Sequence, residues 1–162
     1  MLEVDLSVEP VWGDTEDWQA LSNRAVAAAI AVTPHAAMAT SPAPVSLSIR
    51  FASDAEVQAL NRDYRGKDKP TNVLSFPMME ADELNALLGP ETMLGDIILA
   101  HETCATEATE KGVPLPAHVT HLIVHGTLHL LGHDHIEATQ GDIMEALEVK
   151  ALASLGLGNP YD

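Results

Sequence analysis

One cysteine, Cys104, occurs in 162 residues. An internal disulfide framework is therefore excluded, zinc sites built from paired thiolates are disfavoured, and the lone thiol fits a reducing compartment. It reads as a small buried apolar residue on a helix. Basic residues are also scarce: 8 Lys plus Arg against 24 Asp plus Glu leave a net charge of −16, which at first sight argues against any anionic partner. No apolar run approaches the ~20 residues of a membrane span. The opening stretch MLEVDLSVEPVWGDTEDW has neither the basic nor the apolar region of a secretion signal. The expectation is a cytoplasmic protein without a membrane partner. Repeats, low-complexity tracts and linker-like runs are missing too. With 46% hydrophobic content, residues 1–162 are expected to form one domain around one core. The most biased stretch, Ala31 to Ser46, with three prolines, reads as a loose connection within it.

What is present alternates between strand and helix signals. Leu2, Val4, Leu6 and Val8 alternate with polar residues as a half-buried strand does, and about Asp17 to Val32 is an Ala-rich helix. VSLSIRF, from Val45 to Phe51, alternates again, and Ser53 with Glu56 forms a capping box opening a helix toward Tyr64. TNVLSFP reads as a buried strand, an irregular acidic segment runs through Glu91, and LGDIILA is a second apolar strand ending near Ala100. Three helices follow: Glu102 to Lys111 closed by Gly112, Leu115 to Leu131 closed by Gly132, and about Thr139 to Leu155 closed by Gly156. Strands early and helices late predict an α+β fold, a small mixed sheet of about four strands covered by helices.

The charge distribution qualifies the acidic total. Arg62, Arg65, Lys67 and Lys69 supply four of the eight basic residues within the stretch RDYRGKDKPTN. A short charge run is usually a solvated loop, but in so acidic a chain a concentrated cationic loop is also a candidate anion site.

The stretch HGTLHLLGHDH, His125 to His135, holds four of the eight histidines. At about 100° per residue, His125 and His129 share one helix face, one turn apart. Gly132 can take the left-handed conformation that ends a helix, letting the chain turn back and bring His135 to the same point. Three neutral imidazoles with a fourth position open describe a catalytic metal site, whereas structural zinc sites are closed and usually contain cysteine. Imidazole ligands also suit nickel, copper and iron. The spacing matches the metzincin pattern except for the glutamate after the first histidine, which in a peptidase takes the proton from the attacking water. Here Gly126 stands there. Either another group takes the proton, or the substrate supplies the acceptor, as a phosphodiester can.

YRGKDKPTNVLSFP (Tyr64 to Pro77), LGDI (Leu94 to Ile97), HGTLHLLGHDH and the closing LGLGNPY together resemble the YbeY family of rRNA-maturation endoribonucleases. The resemblance runs from about Val45 onward. It implies a zincin-like α+β fold with the metal site on a long helix of the C-terminal half and the turn after it. It also implies one Zn2+ per chain, and an endoribonuclease specific for single-stranded RNA. That activity serves 3′-end maturation of small-subunit (16S) ribosomal RNA and ribosome quality control. The partners implied are single-stranded RNA, the small ribosomal subunit and ribosome-assembly factors, and DNA is not expected. The zinc ligands would be His125, His129 and His135, and the family's functional arginine falls on Arg65. Where the family commonly has tyrosine, this chain has His133.

Around this set, Arg62, Lys67, Lys69 and His121 are candidates for substrate contact. His118 and His121 share the face of His125 and read as hydrogen-bonded or groove-lining residues. Asp134 either orients a liganding imidazole or stabilises the turn, and Asp96 either supports the site or faces water at a strand edge. Met144 reads as core, and Glu137, Glu145 and Glu148 as an exposed helix face. Two rival functions remain: a hydrolase of another substrate, which Gly126 and the cationic loop disfavour if it is a peptidase, and a non-catalytic assembly factor with a structural zinc. The acidic surface would repel nonspecific RNA and leave only the cationic groove attractive.

Overall fold

A computed structural model describes residues 1–86 and 91–162. Among them are strands β1 (Leu2–Val8), β2 (Val45–Ala52), β3 (Val73–Pro77) and β4 (Thr92–Ala100). The helices are α1 (Trp18–Ala31), α2 (Asp54–Arg65), α3 (Ala81–Ala86), α4 (His101–Lys111), α5 (Leu115–Leu130) and α6 (Ala138–Ser154). The strands form one mixed sheet in the order β1-β2-β4-β3, in which only β3 runs antiparallel to its neighbour. The expected four-stranded mixed sheet covered by helices is thus observed.

Alternation sorts the two faces. Val45, Leu47, Ile49 and Phe51 of β2 point into the main core with α1 and α5, joined by Leu94, Ile97 and Leu99 of β4. Ile98 and Ala100 point the other way, against Val57 of α2 and Leu74 of β3. Leu94 and Ile97 are three residues apart, yet both enter the main core, because the β2–β4 register shifts between Ser46 and Ser48. Gly95 sits at that bulge with φ +143°, and a Cβ there would lie 2.2 Å from the Phe76 carbonyl oxygen. Glycine is therefore required, which gives the LGD element a structural reason.

The acidic segment after β3 is not wholly irregular. Ala81–Ala86 is helical, with Asp82 and Glu83 in its first turn, and Leu84 is buried in the core. One leucine among small and polar residues leaves too little periodicity to read a six-residue helix from sequence. The part of that segment at 87–90 lies outside the described residues. Cys104 is buried on α4 as expected, and burial pushes its thiol up to about 12.

Candidate metal centre and groove

α5 is apolar on the sides that meet the sheet and its neighbouring helices, so His125 and His129 are left partly buried where its last turns run out of cover. The helix ends at Leu131, and Gly132 follows at φ +92°. Its N–H donates to the His129 carbonyl (3.0 Å) and the His133 N–H donates to the Leu128 carbonyl (3.0 Å). These two bonds are the paired closure of a Schellman motif. The turn returns the chain, and one nitrogen from each of His125, His129 and His135 lies within 4.8 Å of the others.

Donor chemistry and spacing both fit a metal ion. The Nε2 atoms of His125 and His129 are 3.1 Å apart, near the ~3.3 Å separation of two nitrogens each ~2.0 Å from one tetrahedral zinc. His125 Nδ1 lies 3.3 Å from the Glu148 carboxylate. A carboxylate there makes Nδ1 the protonated nitrogen and leaves the Nε2 lone pair facing the centre. Burial, with His125 and His135 close by, pushes His129 down to about 4, so its ring is neutral and able to ligate near pH 7.

Gly126 faces the sheet. A Cβ at this position would meet three Ile97 side-chain atoms at 3.1–3.2 Å, so the space a peptidase gives its glutamate is filled by β4. Gly126→Glu is expected to cost about 3 kcal/mol or more, lowering the melting temperature by roughly 10 °C, and to confer no peptidase activity. Thermal melting and a casein-type assay check both.

A groove of about 680 Å³ opens on the histidines, lined by Arg65, Asn72, Ser75, His133 and Asp134 among others. Its far wall is the edge strand β3 and the chain leading into it, and the last residue of α2, Arg65, lines the same groove as the histidines. Gly66, left-handed at φ +69°, ends α2 there, and its N–H donates to the Arg62 carbonyl. The cationic stretch is folded back by the buried Asn61, whose side-chain amide donates to the Lys69 carbonyl (2.8 Å).

Of the four loop cations, Arg65 alone lines the groove. Arg62 pairs with Asp63 at 3.2 Å in the open, and Lys67 and Lys69 are exposed outside the lining. Asp134 accepts from the His135 backbone N–H (2.7 Å), so its carboxylate braces the turn. Asp96 is not brought to the histidines. The bulge at Gly95 sends it to the opposite face, where it lines a depression with Asp5, Ser48 and Arg50.

Two histidines on the same face of α5 are committed elsewhere. His118 Nε2 meets Glu107 at 2.8 Å, and His121 Nε2 meets Glu148 at 2.7 Å. His121 is buried and lines a separate pocket with His118 and Leu152 in place of this groove. Glu148 corrects the reading of an exposed acidic face: its side chain is 1% exposed. The face it shares with Met144, Ala151 and Leu152 packs inward. Burial alone would raise its carboxyl, but donors from His121, His125 and Tyr161 outweigh it and hold the group down at about 2.

These shifts set a pH dependence. His129, His118 and His133 are all lowered, with burial the first cause in each, so the unfolded chain takes up protons that the folded chain refuses. Their stabilisation is complete above the ordinary 6.5 and is lost as pH falls toward about 4. Glu148 loses its contribution in a lower window, from 4.5 toward about 2. Melting of the metal-free protein is therefore expected to be flat near pH 7–8 and to fall steadily below about 6.5. Stepped-pH melts with chelator present check this.

Similarity to known proteins agrees with the geometry. The sequence profile described as "Endoribonuclease YbeY" matches residues 11–156. The chain is 57% identical to "Endoribonuclease YbeY" of Sphingopyxis alaskensis, over 99% of this chain and 98% of that protein. It is 46% identical to the protein of the same description from Zymomonas mobilis, over 99% and 93%. The solution structure of TM1509 from Thermotoga maritima has a similar fold, with TM-score 0.57 at 19% identity, covering 99% of this chain and 96% of that one. With a profile match over most of its length and relatives above half identity across nearly all of it, the chain belongs to the endoribonuclease YbeY family.

Proposed function

We propose that this chain is a zinc-dependent endoribonuclease that cleaves single-stranded RNA by hydrolysis. Its substrate would be the 3′ end of small-subunit ribosomal RNA, during maturation and quality control of the ribosome. The observation that carries the reading is one groove lined both by three converging imidazoles and by Arg65. His125, His129 and His135 would hold the zinc, which supplies Lewis acidity toward a phosphoryl oxygen or the attacking water.

The chain's own residues do the rest. Arg65 presents a planar fork of N–H donors that can take two phosphate oxygens at once and stabilise charge as phosphorus becomes five-coordinate. The filled space at Gly126 removes the side chain a peptidase would use, which favours a substrate with its own proton acceptor. Two of the imidazoles are recessed, and a flexible single strand can lower a phosphate onto them more readily than a stiff duplex. The small subunit and its assembly factors are the partners this substrate brings, and the cytoplasm is where they meet. Among the described residues no helix is long and apolar enough to cross a membrane.

The test is cleavage of a single-stranded RNA spanning a small-subunit rRNA 3′ end, with the same sequence as a duplex run beside it. Activity on the single strand should vanish with a chelator and return with zinc. Equal cutting of both forms, or cutting that survives chelation, would sink the assignment. Full thermal loss of fold on chelation would instead favour a zinc that only braces an assembly factor.

A further inference from the structure

Glu148 places a carboxylate in the interior, where among the described residues no lysine or arginine pairs with it. Its ion-pair contacts among the described residues are to His121 and His125 alone. A buried carboxylate so placed depends on its hydrogen-bond donors. One oxygen, Oε1, takes every hydrogen bond: from His121 Nε2 at 2.7 Å, from His125 Nδ1 at 3.3 Å and from the Tyr161 hydroxyl at 2.8 Å. Of these three donors only His125 is also a member of the metal cluster.

Tyr161 reaches this point because the segment after α6 folds back. Gly156 turns at φ +77°, the Leu157 N–H donates to the Leu152 carbonyl (3.0 Å), and the Tyr161 N–H donates to the Asn159 side-chain oxygen (2.8 Å). The tyrosine ring then packs edge-on against His121, centroids 5.6 Å apart. A second depression, beside the main groove, is lined by His125, His135, Glu148 and Tyr161 together. The closing LGLGNPY stretch thus touches the carboxylate that touches a ligand.

We propose that Glu148 and Tyr161 are positioning residues for the metal centre. The carboxylate fixes the His125 ring with Nδ1 as donor and Nε2 turned to the ion, and the Tyr161 hydroxyl holds the carboxylate oxygen in place. The inference rests on the reading that the three histidines bind metal. It adds that the affinity of the site is set partly by a segment outside the metal-binding motif.

The experiment is zinc affinity by competition with a chromophoric chelator, on the full chain and on Glu148→Gln and Tyr161→Phe, with melting of each metal-free protein alongside. Glu148→Gln should bind zinc about 10–100-fold more weakly. Its metal-free melting temperature should fall by a few degrees, since the amide keeps the packing but loses the charge-assisted bonds, so affinities are compared at a temperature where every metal-free protein is folded. Tyr161 is 46% exposed, so Tyr161→Phe should fold normally, and it should weaken binding about fivefold, the equivalent of one hydrogen bond. Zinc affinity unchanged in either variant overturns the proposal, as does a loss in Glu148→Gln that disappears where its metal-free form is fully folded. An unsubstituted protein that takes up no zinc overturns the three-histidine reading and this one with it.

Discussion

His129→Ala is expected to lose RNA cleavage by more than about 100-fold and to retain less than one zinc per chain. The magnitude follows from position. Removing an outer partner of a ligand costs about 10–100-fold, and removing a ligand from a three-ligand set costs more. The nitrogen lost is the one facing His125 at 3.1 Å, so neither remaining imidazole can replace it. The fold should survive. His129 lies in the last turn of α5, partly buried on the groove side, and its neutral ring resists protonation at a cost that alanine does not bear. The metal-free variant should therefore melt within a few degrees of the metal-free unsubstituted protein. Metal analysis, a cleavage assay and paired melts measure the three quantities. Cleavage falling only as far as the folded fraction falls would mean that the ion braces the structure.

The convergence of the three histidines was legible because its geometry is local. Two histidines one helical turn apart and a glycine able to end the helix specify a convergence that needs no tertiary information, and the paired bonds around Gly132 realise it. The sheet was legible for the same reason: period-two alternation in β1 and β2 is a property of each strand alone. What could not be read depended on contacts across the chain. Asp96 looked like a site carboxylate because it sits in an LGD element, yet one extra residue at Gly95 turns it to the other face. Gly95 inside an apolar strand is a bulge signal, but which way the bulge turns Asp96 depends on the register with β2.

Glu148 is a different kind of miss, since a signal existed. It lies four residues after Met144, taken as core, and three and four before Ala151 and Leu152, so its helical face is apolar on both sides. A glutamate in such a stripe is buried with a partner or not in a helix at all, and His121, read as a hydrogen-bonded or substrate-contacting residue, was an available partner. The role of Tyr161 had no such signal, because only the folded segment after α6 brings its hydroxyl to that carboxylate.

Arg65→Ala should lower kcat/KM for RNA by roughly 10²–10³-fold, the usual cost of deleting a donor aimed at developing charge, while zinc content and melting temperature stay unchanged. The separation of these effects follows from what Arg65 does not do. It is the exposed last residue of α2, and among the described residues the arginines in ion pairs are Arg50 and Arg62. Its guanidinium therefore has no structural partner to lose, and truncation at such a position changes stability by about 0.5 kcal/mol or less. Arg65→Lys keeps the charge but not the fork, so it should recover only part of the loss. Arg62→Ala is the matched control. It removes equal charge three residues away, but its side chain is outside the groove and already paired with Asp63, so its effect should stay within a few-fold and fade with added salt. If Arg62→Ala and Arg65→Ala fall together, the loop acts as a diffuse cationic patch. If only Arg65→Ala falls, and the deficit persists at high salt, one guanidinium is bound directly to the phosphate that reacts.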